Sequence, residues 1–348
     1  MGGNSDSAGD SPALRFLLGG VSGSVAKTLI APLDRVKIVF QISRTPFTFR
    51  GVVAELRRTF ATEGVRGLFR GNLAQVLRVY PYSGIQLAAF DVFSGALLSR
   101  REGGGGGGGG GGGSGGGRSA ASHLGDWERV LAGAAAGAVS VAATYPLDIL
   151  RARLAVAQEL PGDAPRGQRG LAGAARALVA EGGLRALYRG LLPTLVGILP
   201  YAGISFATYE ALKARARALR GGAGEPSAAE RLAAGGAAGL AGQAVVYPLD
   251  TVRRRLQTEG CSAAHAHLAP PPPPPAPGTP RAALRAALST LRVVPGGVVD
   301  VALRLVETEG VRGGLFKGIS MNAVKGPLAV GVSFTIYDGL KALSGIDA

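Results

Sequence analysis

A six-residue pattern occurs three times in this chain: Pro32-Leu33-Asp34-Arg35-Val36-Lys37, Pro146-Leu147-Asp148-Ile149-Leu150-Arg151 and Pro248-Leu249-Asp250-Thr251-Val252-Arg253. Each copy reads proline, leucine, aspartate, two further residues and a base, and each closes a segment rich in Gly, Ala and Val. Successive copies lie 114 and 102 residues apart. That period is too long for a short solenoid repeat and points to three units of about 100 residues. An aspartate in an apolar segment costs about 2.5–3.5 kcal/mol at mid-bilayer on insertion scales. Three of them, each with a base three residues on, predict a ring of ion pairs, and such a ring is suited to act as a gate.

Other features keep the same register. Small-residue pairs Gly19/Gly23, Gly133/Gly137 and Gly235/Gly239 stand 13 and 9 residues before each motif proline. This spacing predicts tightly packed helices. Each motif is followed by a polar amphipathic stretch, then by Glu63-Gly64, Glu181-Gly182 or Glu309-Gly310. Next come Phe69-Arg70-Gly71, Tyr188-Arg189-Gly190 or Phe316-Lys317-Gly318, and then a second long apolar segment. Each unit therefore reads long helix, short surface helix, long helix. The long segments have the length to span a bilayer with tilt, and each motif proline predicts a kink.

These readings define an all-α membrane protein with six transmembrane helices in three pseudo-threefold repeats, at 12–100, 122–220 and 228–344. Residues 1–11 are expected to be disordered. A Gly-rich linker covers 101–121, and a Pro-rich insert at 269–280 interrupts the third repeat. Apolar residues make up 47% of the chain and charged residues 18%, with mean hydropathy +0.24, in keeping with a membrane protein. The net charge of +15 implies an anionic solute or membrane surface. The bases do not form a patch interleaved with aromatics, so nucleic acid is not an expected partner.

Cys261 is the single cysteine, and with only His265 and His267 nearby no metal or cofactor site is expected. Paired catalytic carboxylates, a Ser-His-Asp set and a phosphate-binding Gly-Lys-Ser/Thr loop are all missing, so the chain does not read as an enzyme. Residues 1–12 hold Asp6 and Asp10 and no base, unlike a signal or transit peptide, so an organelle address is expected to be internal. A soluble helical-repeat scaffold is the alternative from another class, and the six long apolar segments weigh against it.

Seven residues past Gly71, Gly190 and Gly318 stand Arg78, Gly197 and Lys325. They lie about 10 Å into their helices, hence at one depth in a bundle. Two cations in apolar segments belong in a wet interior rather than in lipid. Gly197 with Ile198 offers a flat step for a planar ring, Arg78 a fork for phosphate and Lys325 a point charge. The set describes a planar base carrying several phosphates.

The threefold Pro-x-acid-x-x-base pattern, with Glu-Gly and aromatic-base-Gly, resembles the mitochondrial carrier family over roughly 12–100, 122–218 and 228–344. The resemblance implies a monomer of the inner mitochondrial membrane, surrounded by anionic lipid such as cardiolipin and working by alternating access. It implies matrix-side pairs Asp34–Arg151, Asp148–Arg253 and Asp250–Lys37, with prolines Pro32, Pro146 and Pro248. It also implies glutamine braces at Gln41 and Gln257, whose counterpart is Ala155. A cytoplasmic ring is implied at Asp91, Glu210 with Lys213, and Asp338 with Lys341, with Ser94 in place of the third base. The family's substrate contacts fall on Arg78, Gly197, Ile198 and Lys325, with Lys27 as a further cavity cation. Within the family, Tyr145-Pro146-Leu147-Asp148, Pro200-Tyr201-Ala202-Gly203-Ile204-Ser205-Phe206 and Gly318-Ile319-Ser320-Met321-Asn322 resemble carriers of coenzyme A. Implied substrates are then coenzyme A or adenosine 3′,5′-diphosphate, exchanged for ADP or ATP. Another adenine-nucleotide carrier, of the ADP/ATP or ATP-Mg/phosphate type, is the alternative. Leu256-Gln257-Thr258 after Arg253-Arg254-Arg255, where ADP/ATP exchangers carry methionines, argues against the plain exchanger.

Overall fold

A computed structural model describes residues 12–43, 45–104, 124–156, 170–219, 227–259 and 296–343. The expectations for 1–11, for the Gly-rich linker beyond Gly104, for the Pro-rich insert and for Cys261, His265 and His267 lie outside those residues. The first repeat comprises α1 (Pro12–Ile42), α2 (Phe49–Leu68) and α3 (Asn72–Gly104). The second comprises α4 (Asp126–Val156), α5 (Leu171–Gly182), a 3₁₀ turn at Leu184–Tyr188 and α6 (Leu191–Leu219). The third comprises α7 (Ala228–Thr258), α8 (Gly296–Gly310), a π turn at Val311–Leu315 and α9 (Ile319–Leu343). Helix α3 runs to Gly104, so it extends into the segment expected to be linker. No strand occurs among the described residues.

The long helices have 25–33 residues, about 38–50 Å at 1.5 Å per residue. Five of the spans are long and apolar enough to cross a membrane by length and composition. Helix α3 matches them in length, and Asn72, Gln75, Arg78 and Gln86 lower its hydropathy. Each long helix carries an internal proline, and the helix continues through it. Apolar side chains such as Leu17, Leu87, Val92 and Phe334 are exposed, as expected of helices solvated by lipid.

Packing follows the threefold plan. The most extensive contacts join one repeat to the next: α3 on α4, α6 on α7 and α9 on α1. The motif helices α1, α4 and α7 also touch one another in pairs, closing the ring. Three apolar clusters at the motif end join a motif helix to its repeat's short helix, and a fourth joins Ile38 and Ile42 to Ala155 and Val156. Val36 and Phe40 of α1 pack with Val52 of α2, and Ile149 and Leu150 of α4 with Leu178 of α5. In the third repeat Val252 and Leu256 of α7 pack with Val301 and Leu305 of α8. The amphipathic face of each short helix is thus buried under its own repeat's motif.

The chain turns back into the second long helix of each repeat through two glycines with positive φ: Gly64 and Gly71, Gly183 and Gly190, Gly310 and Gly318. Glu63 precedes Gly71 by eight residues, whereas Glu181 and Glu309 precede Gly190 and Gly318 by nine. The extra residue is absorbed differently: α5 runs one residue further to end before Gly183, and the third repeat takes up a π turn.

The paired small residues behave otherwise than expected. A Cβ added at Gly19, Gly133 or Gly235 would meet nothing within 4 Å, and at Gly23, Gly137 and Gly239 only ordinary contacts at 3.9–4.0 Å. These glycines do not bring helices together in this conformer. Close approach occurs instead at Gly20, against the Tyr80 ring, and at Gly242, against Ser205 and the Tyr201 carbonyl.

Candidate functional site

At the motif end the three aspartates meet bases of neighbouring repeats. Arg151 Nη2 lies 2.5 Å from Asp34 Oδ2, Arg253 donates to Asp148, and Lys37 Nζ lies 3.4 Å from Asp250 Oδ2. All three carboxylates lie where α1, α4 and α7 converge. Gln257 Nε2 donates to Asp148 Oδ2 at 2.8 Å and to Tyr145 Oη at 3.0 Å. Gln41 Nε2 makes the equivalent contacts with Asp250 at 3.4 Å and Tyr247 at 3.2 Å. Ala155 has no side-chain donor to offer Asp34.

The cations expected to hold substrate reach the same carboxylates. Arg78 Nη1 lies 2.9 Å from Asp148 Oδ1, and Arg78 Nε donates to Thr144 Oγ1 at 3.0 Å. Lys325 Nζ lies 2.7 Å from Asp34 Oδ1. Gly197 is the third member of this set. A Cβ there would sit 3.8 Å from Val246, and Val246 and Thr144 each stand two residues before a motif proline. Arg78 and Gly197 are therefore at equivalent heights. Asp34 and Asp148 each have a second cation above them, and Asp250 has a glycine step instead. Lys27 is exposed and in electrostatic range of Asp34, Lys325, Arg151 and Arg78, and it forms no hydrogen bond or ion pair among the described residues.

A cavity of about 580 Å³ opens above this floor, lined by α3, α4, α6 and α7. That volume falls in the usual range of small-molecule sites. Gly197 and Ile198 form part of its wall, with Tyr82 and Gln86 among their neighbours and Asp250 and Arg253 at the base. The Tyr82 ring also carries the Arg78 guanidinium, 5.1 Å from its centroid. No group of three or more His, Cys, Asp or Glu residues suited to a metal ion occurs among the described residues.

The family model for mitochondrial carrier proteins matches residues 9–101, 122–218 and 224–346. The chain belongs to the mitochondrial carrier family. It is accordingly a transport protein of the inner mitochondrial membrane. Among similar proteins, a mitochondrial coenzyme A transporter of Xenopus tropicalis is 39% identical, the alignment covering 93% of this chain and 83% of that protein. The human protein of the same name is 38% identical, covering 94% and 87%. A maize mitochondrial carrier protein called CoAc1 is 33% identical, covering 96% and 88%.

This carrier has a second threefold set of ion pairs that the motif did not announce. Arg35 binds Glu63 at 2.7 Å, Arg153 binds Glu181 at 2.7 Å, and Arg255 donates to Glu309. Each arginine also donates through Nε to the last turn of the neighbouring motif helix: Arg35 to Ala155 O, Arg153 to Gln257 O and Arg255 to Gln41 O, at 2.9–3.1 Å. These carbonyls belong to the three residues nine past each proline. Orphan carbonyls at a helix end and the carboxylate of a surface helix are thus clamped by one guanidinium. The aromatic-base-Gly motif joins the clamp, with Arg70 3.3 Å from Glu63 and Lys317 2.7 Å from Glu309.

Of the ring expected at the other end, no ion pair among the described residues joins Asp91, Glu210, Lys213 or Asp338 to another helix. Lys213 lies 3.5 Å from Glu210 on its own helix, and Asp91 and Asp338 form no ion pair among the described residues. Lys341 occupies the last turn of α9. Ser94 is fully buried, and its hydroxyl has no hydrogen-bond partner in the described structure.

Proposed function

We propose that this carrier exchanges coenzyme A, or its adenosine 3′,5′-diphosphate core, for an adenine nucleotide by alternating access. The substrate class rests on the relatives named as coenzyme A transporters. The observation that carries the mechanism is that Arg78 and Lys325, two of the cations expected to hold substrate, are bonded to Asp148 and Asp34 of the motif ring. In this reading the adenine lies on the Gly197–Ile198 step while phosphates take Arg78, Lys325 and Lys27. Each phosphate contact then removes a cation from a ring carboxylate and loosens the ring. The motif ring is the matrix gate, and this conformer has it closed. The cytoplasmic ring at Asp91, Glu210, Lys213, Asp338 and Lys341 closes in the alternate state.

Uptake of labelled coenzyme A into liposomes holding the purified carrier, preloaded with ADP, tests this. Uptake that requires internal nucleotide is the expected result. ADP/ATP exchange without coenzyme A uptake would overturn the substrate assignment in favour of a plain adenine-nucleotide carrier.

A further inference from the structure

The two glutamine braces are held unequally. Gln257 is engaged at both ends of its carboxamide. Its Nε2 donates to Asp148 at 2.8 Å and to Tyr145 at 3.0 Å, and its Oε1 accepts from Arg254 Nη1 at 2.8 Å. Gln41 is engaged at one end only. Its Nε2 contacts with Tyr247 and Asp250 are longer, at 3.2 and 3.4 Å, and its Oε1 is buried with no hydrogen-bond partner in the described structure. The difference traces to one position. Arg254 stands six residues past its motif proline, where the other repeats have Ile38 and Ala152. Ile38 packs into the apolar cluster with Ile42, Ala155 and Val156 and offers no donor. Arg254 also lies 3.6 Å from Asp148, so one guanidinium faces both a gate carboxylate and its brace.

A carboxamide has an acceptor end and a donor end. Tied at one end it keeps torsional freedom, whereas tied at both it keeps its donor aimed. A hydrogen bond from a guanidinium is also stronger than one between neutral groups. We infer that Arg254 is a positioning residue of the matrix gate: it holds Gln257 on Asp148 and thereby sets how readily the ring opens. The cavity wall includes Arg253 and not Arg254, which sets this role apart from substrate binding. This inference rests on the reading of the motif ring as the matrix gate.

The test is a double-mutant cycle on labelled coenzyme A uptake by full-length carrier in ADP-loaded liposomes, reading maximal rate and half-saturating concentration. Wild type, Arg254→Met, Gln257→Ala and the double variant are compared, with Arg254→Lys beside them. Asp148 keeps Arg253 and Arg78 in all of them, so the ring still forms. Arg254→Met is expected to raise the maximal rate about two- to tenfold, the range of one hydrogen bond. It should not raise the half-saturating concentration, and it should add nothing in the Gln257→Ala background. Arg254→Lys, which keeps a charged donor, should raise the rate less. An unchanged or lower rate in Arg254→Met, a raised half-saturating concentration, or the same gain with and without Gln257 would overturn the inference. The same cycle with Arg254→Gln gives the reading if the methionine variant does not reconstitute. If Gln257→Ala leaves the rate unchanged, the gate reading fails and the role of Arg254 with it. If Gln257→Ala raises the rate and Arg254→Met does not, the role of Arg254 alone fails. A wild-type carrier that exchanges ADP and takes up no coenzyme A loses the substrate assignment, and the cycle is then read on ADP exchange.

Discussion

Arg78 and Arg253 share a single carboxylate: Arg78 Nη1 lies 2.9 Å from Asp148 Oδ1, while Arg253 holds Oδ2. In the proposed function one is a substrate-site cation from the first repeat and the other a gate base from the third. Asp148 also accepts from Gln257 and lies 3.6 Å from Arg254, so losing one of these partners does not leave the charge bare. Arg78→Ala is therefore expected to remove phosphate binding without unfolding the bundle. Loss of a charge-assisted contact predicts at least a 10–100-fold fall in exchange, from about 1.5–3 kcal/mol. Lys325→Ala should act similarly through Asp34, which keeps Arg151. Exchange in liposomes and thermal unfolding in detergent, measured side by side, check both. Normal exchange by both variants would remove these residues from the substrate site.

Ala155 marks the place where the brace is missing. Gln41 and Gln257 tie the other two ion pairs to Tyr247 and Tyr145, and Ala155→Gln would supply the third. A hydrogen bond of ordinary strength adds about 0.5–1.5 kcal/mol, here to the ring-closed state alone. Thermal stability in detergent should rise, and turnover should fall because opening the ring becomes harder. Gln257→Ala should shift both quantities the opposite way. A change of stability with no change of turnover would separate the ring from gating.

The clamp on Glu63 is structural. Arg35 and Glu63 are both nearly inaccessible, with side chains 5% and 8% exposed. Breaking a buried pair by removing one partner costs about 3–5 kcal/mol, because the other charge stays buried. Glu63→Ala should therefore lower the unfolding temperature sharply, whereas Glu55→Ala, which removes a half-exposed surface pair with Arg58, should change it little. Equal effects of the two would mean that the clamp contributes no more than a surface contact.

The inner ring was legible in the sequence because its acid and base keep one spacing through three copies. The clamp was not, because its arginine stands three residues past the proline in the first repeat, at Arg35, and seven past it in the others, at Arg153 and Arg255. No fixed register connects them. Only the folded helices bring all three guanidinium groups to equivalent carbonyls. The contact of Arg78 with Asp148 was hidden for a related reason. Counting residues gave its depth in α3, but the reach of its side chain to a carboxylate of the next repeat depends on how α3 packs on α4.

Glycine in this fold serves two distinct ends, and substitution separates them. Gly71 has φ +82°, and a Cβ there would sit 2.7 Å from Arg151 O, directly behind a gate base. Gly71→Ala should cost about 1–2 kcal/mol for the left-handed backbone and about 1–3 kcal/mol for overpacking, seen as a lower unfolding temperature. Gly19 lies within the helix α1, and its Cβ would meet nothing. Gly19→Ala should leave the stability of this conformer unchanged or raise it by about 0.5–1 kcal/mol through helix propensity. If the open end of the bundle closes during transport, Gly19 is where α1 approaches a neighbour, and the added methyl should slow exchange despite unimpaired stability. Full exchange by Gly19→Ala would mean that the small-residue pairs are not contact points in either state.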